Sequence, residues 1–368
     1  MSPPSQSAER VAEKVQTLAD LELAALLCLI TKEHAIVEAE ASQLDSLCLE
    51  LELIAGSVFG LSSTVLECSE KTTLDTFGNG LLVEDDDVSY FSSPPRNSRE
   101  TDAFSTFRPP HRRSPKSPLE PSRKIANVVI AKNLNLSPRQ VQTQALELIR
   151  GRRIFTRTAV HTAPKRFLFI ALLASDPDIS LTPHLNNQFF ISHYHQYEDG
   201  FPNLEEYQGL DDDQASLSSV VRPSSSMTLG SPKAIAKSPL FPQDDLEHIS
   251  KLLGDVRISS EVFAYMQNLI AFLRLHRAVS GGISALATKH FELLVRALAP
   301  LHGLNYVPPS LVALAARKIY PHRILLTAPE NERSMQWGSS LEAVREVLDG
   351  VTVDDVIEDV LQQVEVPL

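Results

Sequence analysis

The chain has 368 residues, with 46 acidic against 34 basic side chains and a net charge of -12. This balance argues against general binding to nucleic acid or to an anionic membrane, because both require a surplus of cations. At roughly 150 residues per domain the length predicts two folded parts with linkers, and 43% hydrophobic residues suffice for packed cores. No apolar run approaches the roughly 20 residues of a membrane helix, and no secretory or transit signal opens the sequence. Cys28, Cys48 and Cys68 form no C-x-x-C pair, which favours a reducing, intracellular location, cytoplasmic or nuclear.

Two polar stretches interrupt the apolar patterns. Residues 84–124 are rich in Pro, Ser and Arg, and residues 205–245 are first acidic and then Ser-rich. Neither can bury much apolar surface, so we expect both to be disordered. Five serines in them precede proline and are candidate phosphorylation sites: Ser93, Ser114, Ser117, Ser231 and Ser238. Solvated linkers with incidental Ser-Pro pairs are the alternative.

Helices and strands alternate through residues 8–204. The first part has a helical pattern in LADLELAALLCLI, a short apolar run in HAIVE, a second helical stretch in DSLCLELELIAGSVFG and a strand-like STVLEC. The second part has two strong strands, IANVVIA and RFLFIALLA. Between them, Val141, Ala145, Leu148 and Ile149 share one helical face. This interleaving predicts an α/β layer with a mostly parallel sheet.

Residues 246–368 have an entirely helical pattern. Ser260 is a candidate cap for a helix with apolar residues at helical spacing, and Thr352 with Asp355 fits a capping box before the last helix. We therefore predict an α/β core over 8–204, interrupted by the insert at 84–124, a linker over 205–245, and a helical lid over 246–368.

Several stretches, in this order and spacing, resemble one family, the AAA+ ATPases of the magnesium chelatase ATPase subunit and MoxR group. KIANVVIAKNLNLSPRQVQTQALELI resembles the family's Walker B strand with its following helix, and APKRFLFIALLASDPDISLTPHLNNQFFI its sensor-1 strand and arginine-finger turn. HRAVSGGISALATKHFELLVRALAPLHGLNYVPPSLVALAARKIYPHRILL resembles its lid, and GVTVDDVIEDVLQQVEVPL its closing helix. The resemblance implies a P-loop-type three-layer core with an all-helical lid. It also implies a magnesium chelatase-type ATPase activity, with ATP and Mg²⁺ as cofactors if that activity is retained.

The phosphate loop departs from the family's pattern. A G-x-x-x-x-G-K-[ST] loop uses glycines to bring backbone N–H groups to the phosphates and a lysine to neutralise them. The matching segment carries Ala39 and Leu44 in place of the glycines and Asp45 in place of the lysine, and only Ser46 keeps the residue type of the pattern, a hydroxyl. The charge of Asp45 repels phosphate.

The other catalytic positions have also lost their chemistry. The Walker B acids align with Ala131 and Lys132, of which we expect Lys132 to be a solvated strand-end lysine. Sensor 1 aligns with Ala174, the arginine finger with Gln188 and sensor 2 with Leu286. Ala131 and Lys132 can neither hold the Mg²⁺ water shell nor orient the attacking water, and Gln188 and Leu286 lack the charge of the arginines they replace.

Three hypotheses follow. The first is a non-hydrolysing scaffold or regulatory pseudo-ATPase that needs no cofactor and binds protein partners, for which the resemblance suggests other AAA+ subunits. The second is an active chelatase-like ATPase in which residues such as Lys32 or Lys71 substitute for the missing ones. The third is a phosphorylation-regulated adaptor controlled through the Ser-Pro linkers.

The segment FFISHYH is a candidate metal site. His193 and His195 lie two residues apart, on one side of a strand, with His184 nearby, and two such histidines can contribute to a Zn²⁺ site. With no Cys or carboxylate at family-like spacing, we predict a surface strand with incidental histidines and no metal.

Overall fold

The structure is a computed structural model that describes residues 6–84, 123–157, 159–175, 180–207 and 239–367. The five Ser-Pro serines lie outside the described residues. The described strands are β1 Ala35–Ala39, β2 Ser63–Glu67, β3 Leu82–Glu84, β4 Arg123–Ile125, β5 Val128–Lys132, β6 Arg153–Phe155, β7 Val160–Thr162, β8 Leu168–Ala174, β9 Ile191–Tyr194, β10 Val279–Gly281 and β11 Leu325–Leu326. The described helices are α1 Gln6–Val15, α2 Asp20–Thr31, α3 Leu44–Leu53, α4 Leu74–Gly80, α5 Arg139–Gly151, α6 Pro183–Asn186, α7 at residues 202–207, α8 Gln243–Asp255, α9 Ser260–Leu275, α10 Ala285–Leu301, α11 Pro309–Ile319, α12 Leu341–Leu348 and α13 Val353–Gln363.

Five of the described strands form a parallel sheet in the order β2-β5-β8-β1-β9. Strand β8 is a nearly continuous apolar run because successive side chains enter cores on opposite faces. Ile170 and Leu172 face one core, and Phe169 and Ala171 face the other. The predicted parallel α/β layer is confirmed.

Helices cover both faces of the sheet. The first core contains apolar residues of α2, α3 and the lid helices α8 to α11, and the second contains those of α4 and α5. The four residues predicted to share one face of α5 are all buried: Val141, Ala145, Leu148 and Ile149. The arrangement is the three-layer α/β core that the resemblance implied.

The C-terminal part is a set of packed helices with one exception. Strands β10 and β11 form a small antiparallel pair, so the prediction of an entirely helical region was wrong here. The N-cap of α9 is Ser259, whose hydroxyl accepts from the Val262 N–H, rather than Ser260. The capping box of Thr352 and Asp355 is confirmed.

Ordered structure extends into both polar stretches that were predicted to be linkers. Glu84 pairs with Arg123 in the β3–β4 ladder, and Phe241, just before α8, is fully buried. Helix α7 is held by the buried Glu50 carboxylate, which accepts hydrogen bonds from the backbone N–H groups of Asn203 and Leu204 at 3.0 and 2.8 Å. Residues 85–122 and 208–238 lie outside the described part of the chain.

The N-terminal helices connect core and lid. Helices α1 and α2 both pack against α10, and α2 also contacts α8 and the strands β1, β8 and β9. Core and lid therefore share one hydrophobic cluster. No helix within the described ranges is both long and apolar enough to cross a membrane.

A glycine is required at position 282, where the chain turns from β10 toward α10. Its φ is +100°, and a Cβ added there would lie 1.8 Å from the Arg323 carbonyl oxygen. Gly282→Ala should lower the free energy of unfolding by about 3 kcal/mol or more, because backbone strain and a backbone clash add. Gly281→Ala is the matched control, since a Cβ there meets no atom within 4 Å. Urea denaturation of both variants tests this, and equal stabilities would contradict it.

A second prediction concerns acid stability. His34 is buried, and its Nδ1 accepts the Phe169 backbone N–H at 3.1 Å, which requires an unprotonated nitrogen. Burial, followed by the nearby Arg152 and His290, lowers the pKa of His34 to about 3, whereas the unfolded chain titrates near 6.5. The unfolded state therefore takes up the proton first, and stability falls as pH drops from about 6.5 toward 3.

His34→Asn keeps an acceptor but cannot titrate. The loss of unfolding free energy between pH 7.5 and pH 5 should be smaller in this variant than in the wild type, even though the smaller side chain costs stability at both values. His302→Asn, at an exposed position, should follow the wild type. Equal pH dependence of all three proteins in urea titrations would refute the assignment.

Candidate functional site

The carboxyl edge of the sheet at β1 is the natural ligand position of this topology. The chain passes from β1 to the far edge at β2, returns through β5 and β8, and then crosses β1 to reach β9. In open α/β sheets, ligands bind outside the carboxyl ends of the strands at such a reversal. Residues 40–43 connect β1 to α3 at this point.

The segment aligned with a phosphate loop forms a short closed turn. Ala39 is the last residue of β1 and Leu44 the first of α3, and both are buried. Their side chains fill the positions where glycines would leave the backbone open. Gln43 is the N-cap residue of α3, and its backbone N–H donates to the Glu40 carbonyl at 3.0 Å, which closes the turn. Its buried amide group has no hydrogen-bond partner among the described residues.

Lys132 forms an ion cluster with Asp45 and Glu67. Its ammonium group lies at the end of β5, donates to a carboxylate oxygen of Asp45 at the start of α3, and reaches Glu67 at the end of β2 over 3.2 Å. The hydrogen bond to Asp45, followed by that to Glu67, outweighs desolvation and raises the pKa of Lys132. The lysine side chain is 13% exposed, so the prediction of a solvated strand-end lysine was wrong. Its partners come from elements 65 and 87 residues away in sequence.

The other positions of the core lie along the same edge. Ala131 is fully buried beside Lys132, and Ala174 ends β8 in register with Ala39. The Ser175 N–H donates to the Ala39 carbonyl at 2.9 Å. The aligned loop, Walker B and sensor-1 positions therefore converge in space. Asp45 and Lys132 bear the charges among them, and Ser46 is half-buried on the first turn of α3.

The two remaining positions lie next to a contact between core and lid. Gln188 lies in the turn after α6 and Leu286 in the first turn of α10, and both are half-buried. The neighbouring Ser284 hydroxyl donates to the Asn187 side-chain oxygen at 2.7 Å and also caps α10. A cavity of about 630 Å³ opens beside this contact, lined in part by His184 and Arg274. Gln188 and Leu286 bring no charge to it.

Arg323 ties the lid to the core below this cavity. It is 3% exposed and donates to the carbonyls of Phe189 and Ile319 and to Nδ1 of His290. Burial lowers the pKa of Arg323 to about 10 and that of His290 to about 3. Backbone carbonyls thus solvate this cation in place of water, and the group has a structural role.

The two lysines considered as substitutes lie at different edges. Lys32 follows α2 and precedes β1, so it lies at the amino edge, away from the candidate site. Lys71 follows β2 at the carboxyl edge and lines a cavity of about 250 Å³ with Glu67 and Thr72. Of the two, only Lys71 is on the correct side of the sheet to approach a nucleotide.

Cysteine chemistry is disfavoured at this edge. All three thiols are buried and unbonded, and burial raises the pKa of Cys48 and of Cys68 to about 12. A protonated thiol is a poor nucleophile and a poor metal ligand.

The histidines of β9 differ from the prediction. His193 and His195 are both buried, with 6% and 2% exposure, so the prediction of a surface strand was wrong. His184 is exposed on α6. Asp199, in the turn after β9, completes a group of three potential ligands whose donor atoms lie within 4.8 Å of one another. Asp199 could not be predicted from the spacing of residues along the strand, because its position depends on how the turn after β9 folds.

Comparisons with known proteins bear on the architecture. A search of curated proteins found no match. Residues 271–345 match the family model of the AAA lid domain. The solved structure of a candidate ATPase from Cytophaga hutchinsonii superposes with a TM-score of 0.63 at 15% identity, covering 98% of this chain and 95% of that one. At this identity the likeness concerns the fold. The chain therefore has the fold of AAA+ ATPases, an α/β core followed by a helical AAA lid.

Proposed function

We propose that this chain is an AAA+-type protein that does not hydrolyse ATP and acts as a scaffold or regulatory subunit. Within the AAA+ fold, we propose the magnesium chelatase ATPase subunit and MoxR group, which the sequence resembles in pattern. The observation that carries the proposal is the ion cluster of Asp45, Lys132 and Glu67 at the carboxyl edge.

The cluster has the reverse of the charge arrangement that a nucleotide needs. A phosphate loop presents a cation from the helix and carboxylates from the strand, whereas here the helix presents Asp45 and the strand Lys132. At 4 Å and an effective dielectric constant of about 20, one pair of unit charges interacts by about 4 kcal/mol. Replacing attraction by repulsion of that order at the outer phosphates strongly disfavours binding. Lys132 is also already neutralised by two carboxylates.

The remaining residues do not fit a bound magnesium nucleotide either. Mg²⁺ requires oxygen ligands, and the strand position nearest the site carries Ala131. Ala39 and Leu44 close the loop through which backbone N–H groups would reach phosphate oxygens. For these reasons, the residues at this edge do not fit ATP with Mg²⁺.

A scaffold needs a surface for protein partners, and the lid offers large exposed apolar side chains. Trp337 is 87% exposed and Leu275 is 68% exposed. Tryptophan is enriched at the energetic centres of interfaces because it offers a large apolar area with one hydrogen-bond donor. By the family resemblance, other AAA+ subunits are the partners that we propose.

A retained ATPase activity is the second candidate, and the position of Lys71 on the carboxyl side is what favours it. In that case Lys71 would take the place of the phosphate-binding lysine. Control of an adaptor through the Ser-Pro serines is a third proposal, and it rests on the sequence alone.

Nucleotide titration separates the first two candidates. We expect the purified protein, with a fluorescent ATP analogue and Mg²⁺, to bind no more tightly than about millimolar and to release no phosphate from ATP. Micromolar binding with turnover would overturn the proposal. Loss of that activity in Lys71→Ala would then assign it to the second candidate.

A double-mutant cycle tests the ion cluster itself. Asp45→Lys alone brings two ammonium groups together, and Lys132→Asp alone brings three carboxylates together, so each should destabilise the fold. The double exchange restores opposite charges, and we expect a coupling energy of about 1 kcal/mol or more that weakens at high salt.

The exposed pair of Arg345 and Glu330, at 3.0 Å, is the reference for a simple surface interaction. Its exchange cycle should give about 0.5 kcal/mol or less. Urea denaturation at low and high salt provides both values. Additive effects at Asp45 and Lys132 would mean that the cluster contributes nothing to the fold.

A further inference from the structure

We propose that His193, His195 and Asp199 form a binding site for a divalent transition-metal ion of the Zn²⁺ type, with water completing the coordination. The site lies at the end of β9, on the opposite side of β1 from the ion cluster. Lys132 is on β5, three strands away, or about 14 Å at ordinary strand spacing. The metal site is therefore separate from the ion cluster.

The fold already brings the three ligands together. His193 is paired with Val37 of β1, and the His195 N–H donates to the Glu38 carbonyl at 2.8 Å, so both histidines are fixed to β1. The spacing of two residues places their rings on the same side, with centroids 6.3 Å apart. One donor atom from each ring and one carboxylate oxygen lie within 4.8 Å of one another.

The carboxylate is positioned by its own turn. The Asp199 Oδ2 atom accepts the backbone N–H of Gln196 at 2.9 Å and lies 3.8 Å from Nδ1 of His195. That second distance is too long for a hydrogen bond but leaves room for an ion between the two atoms. The Phe201 ring packs on the His195 ring at 5.1 Å, and Glu50 holds the following helix in place.

Unsatisfied nitrogens point to a ligand. Nε2 of His193 and both ring nitrogens of His195 are buried without a hydrogen-bond partner among the described residues. Buried polar atoms are nearly always paired, and an exception at a group of ligating residues indicates a bound ion or water. One metal ion bound by one nitrogen of each ring would account for two of these three atoms.

The surrounding charge favours a cation. Asp20, Asp199 and Glu50 act on the two rings as nearby negative charges, and Lys318 is the positive one. The balance of these groups is negative. Burial is the main cause that lowers the pKa of both histidines, so the neutral imidazole, which is the form that binds metals, is present at physiological pH.

The donor set selects the class of metal. Two imidazole nitrogens and one carboxylate suit Zn²⁺ and its first-row neighbours, whereas Mg²⁺ prefers oxygen ligands and keeps its water shell. With three protein ligands, a fourth position stays open on the side of Asp199, whose side chain is 37% exposed. An ion there would link the segment 195–207 to β9, the edge strand of the sheet.

Metal titration of the full chain, stripped with EDTA, tests the site. We expect one Zn²⁺ per chain by isothermal titration, no binding of Mg²⁺, and a Co²⁺ spectrum with visible absorption of low-coordinate N/O ligation. Asp199→Asn should weaken Zn²⁺ binding by about tenfold or more, and His195→Gln should abolish the Co²⁺ bands. His184→Gln, at an exposed histidine outside the group, should bind like the wild type.

Asp199→Asn keeps the proposal falsifiable even if a buried histidine variant fails to fold, because this side chain is partly exposed and its replacement has the same shape. Zn²⁺ affinity and Co²⁺ absorption that are unchanged in Asp199→Asn would overturn the site. Absence of stoichiometric Zn²⁺ binding to the wild type, or binding that is lost equally in His184→Gln, would do the same.

Discussion

The parallel sheet buries both of its faces, and this constraint decides where the chain can place polar chemistry. Side chains of β5 and β8 enter one hydrophobic cluster or the other, so neither face has room for a ligand. The carboxyl edge remains, where strands end and helices begin. The ion cluster and the histidine group of β9 both lie at or near strand ends at this edge, on either side of β1.

The departures from the nucleotide-binding pattern at this edge depend on one another, because the residues concerned are in contact. Asp45 alone would place an exposed negative charge on a helix N-terminus, and Lys132 alone would be a largely buried cation without a partner. Together with Glu67 they satisfy one another. The closed turn from Ala39 to Leu44 lets α3 begin directly beside β5, so the same local packing that removes the phosphate loop brings the two charges into contact.

The hydrophobic periodicity of the sequence predicted the helices and strands, but it did not predict which side chains contact each other at the ends of these elements. The apolar runs of β5 and β8 and the buried face of α5 follow from local patterns, as does the capping box at Thr352. The β10–β11 pair was missed because its short strands carry no pattern of their own and depend on packing within the lid. Spacing placed His193 and His195 on one side of a strand, yet burial and the approach of Asp199 depend on how the next turn folds back. The candidate site was predictable in position, since strand and helix flank it, but the Lys132 contacts depend on tertiary structure.

The lid contains residues with clear packing roles, but it has no charged residue at the position aligned with sensor 2. Gly282 has a backbone conformation and a contact that exclude a side chain, Ser284 caps α10 and bonds to Asn187, and Arg323 joins the lid to the Phe189 carbonyl. Each of these residues has a role in packing the lid or joining it to the core. Leu286, at the sensor-2 position in the same segment, lacks the charge that the pattern requires. Under the proposed function, selection for a stable core–lid junction alone would give this division, because a charge that served only a nucleotide would have no further role.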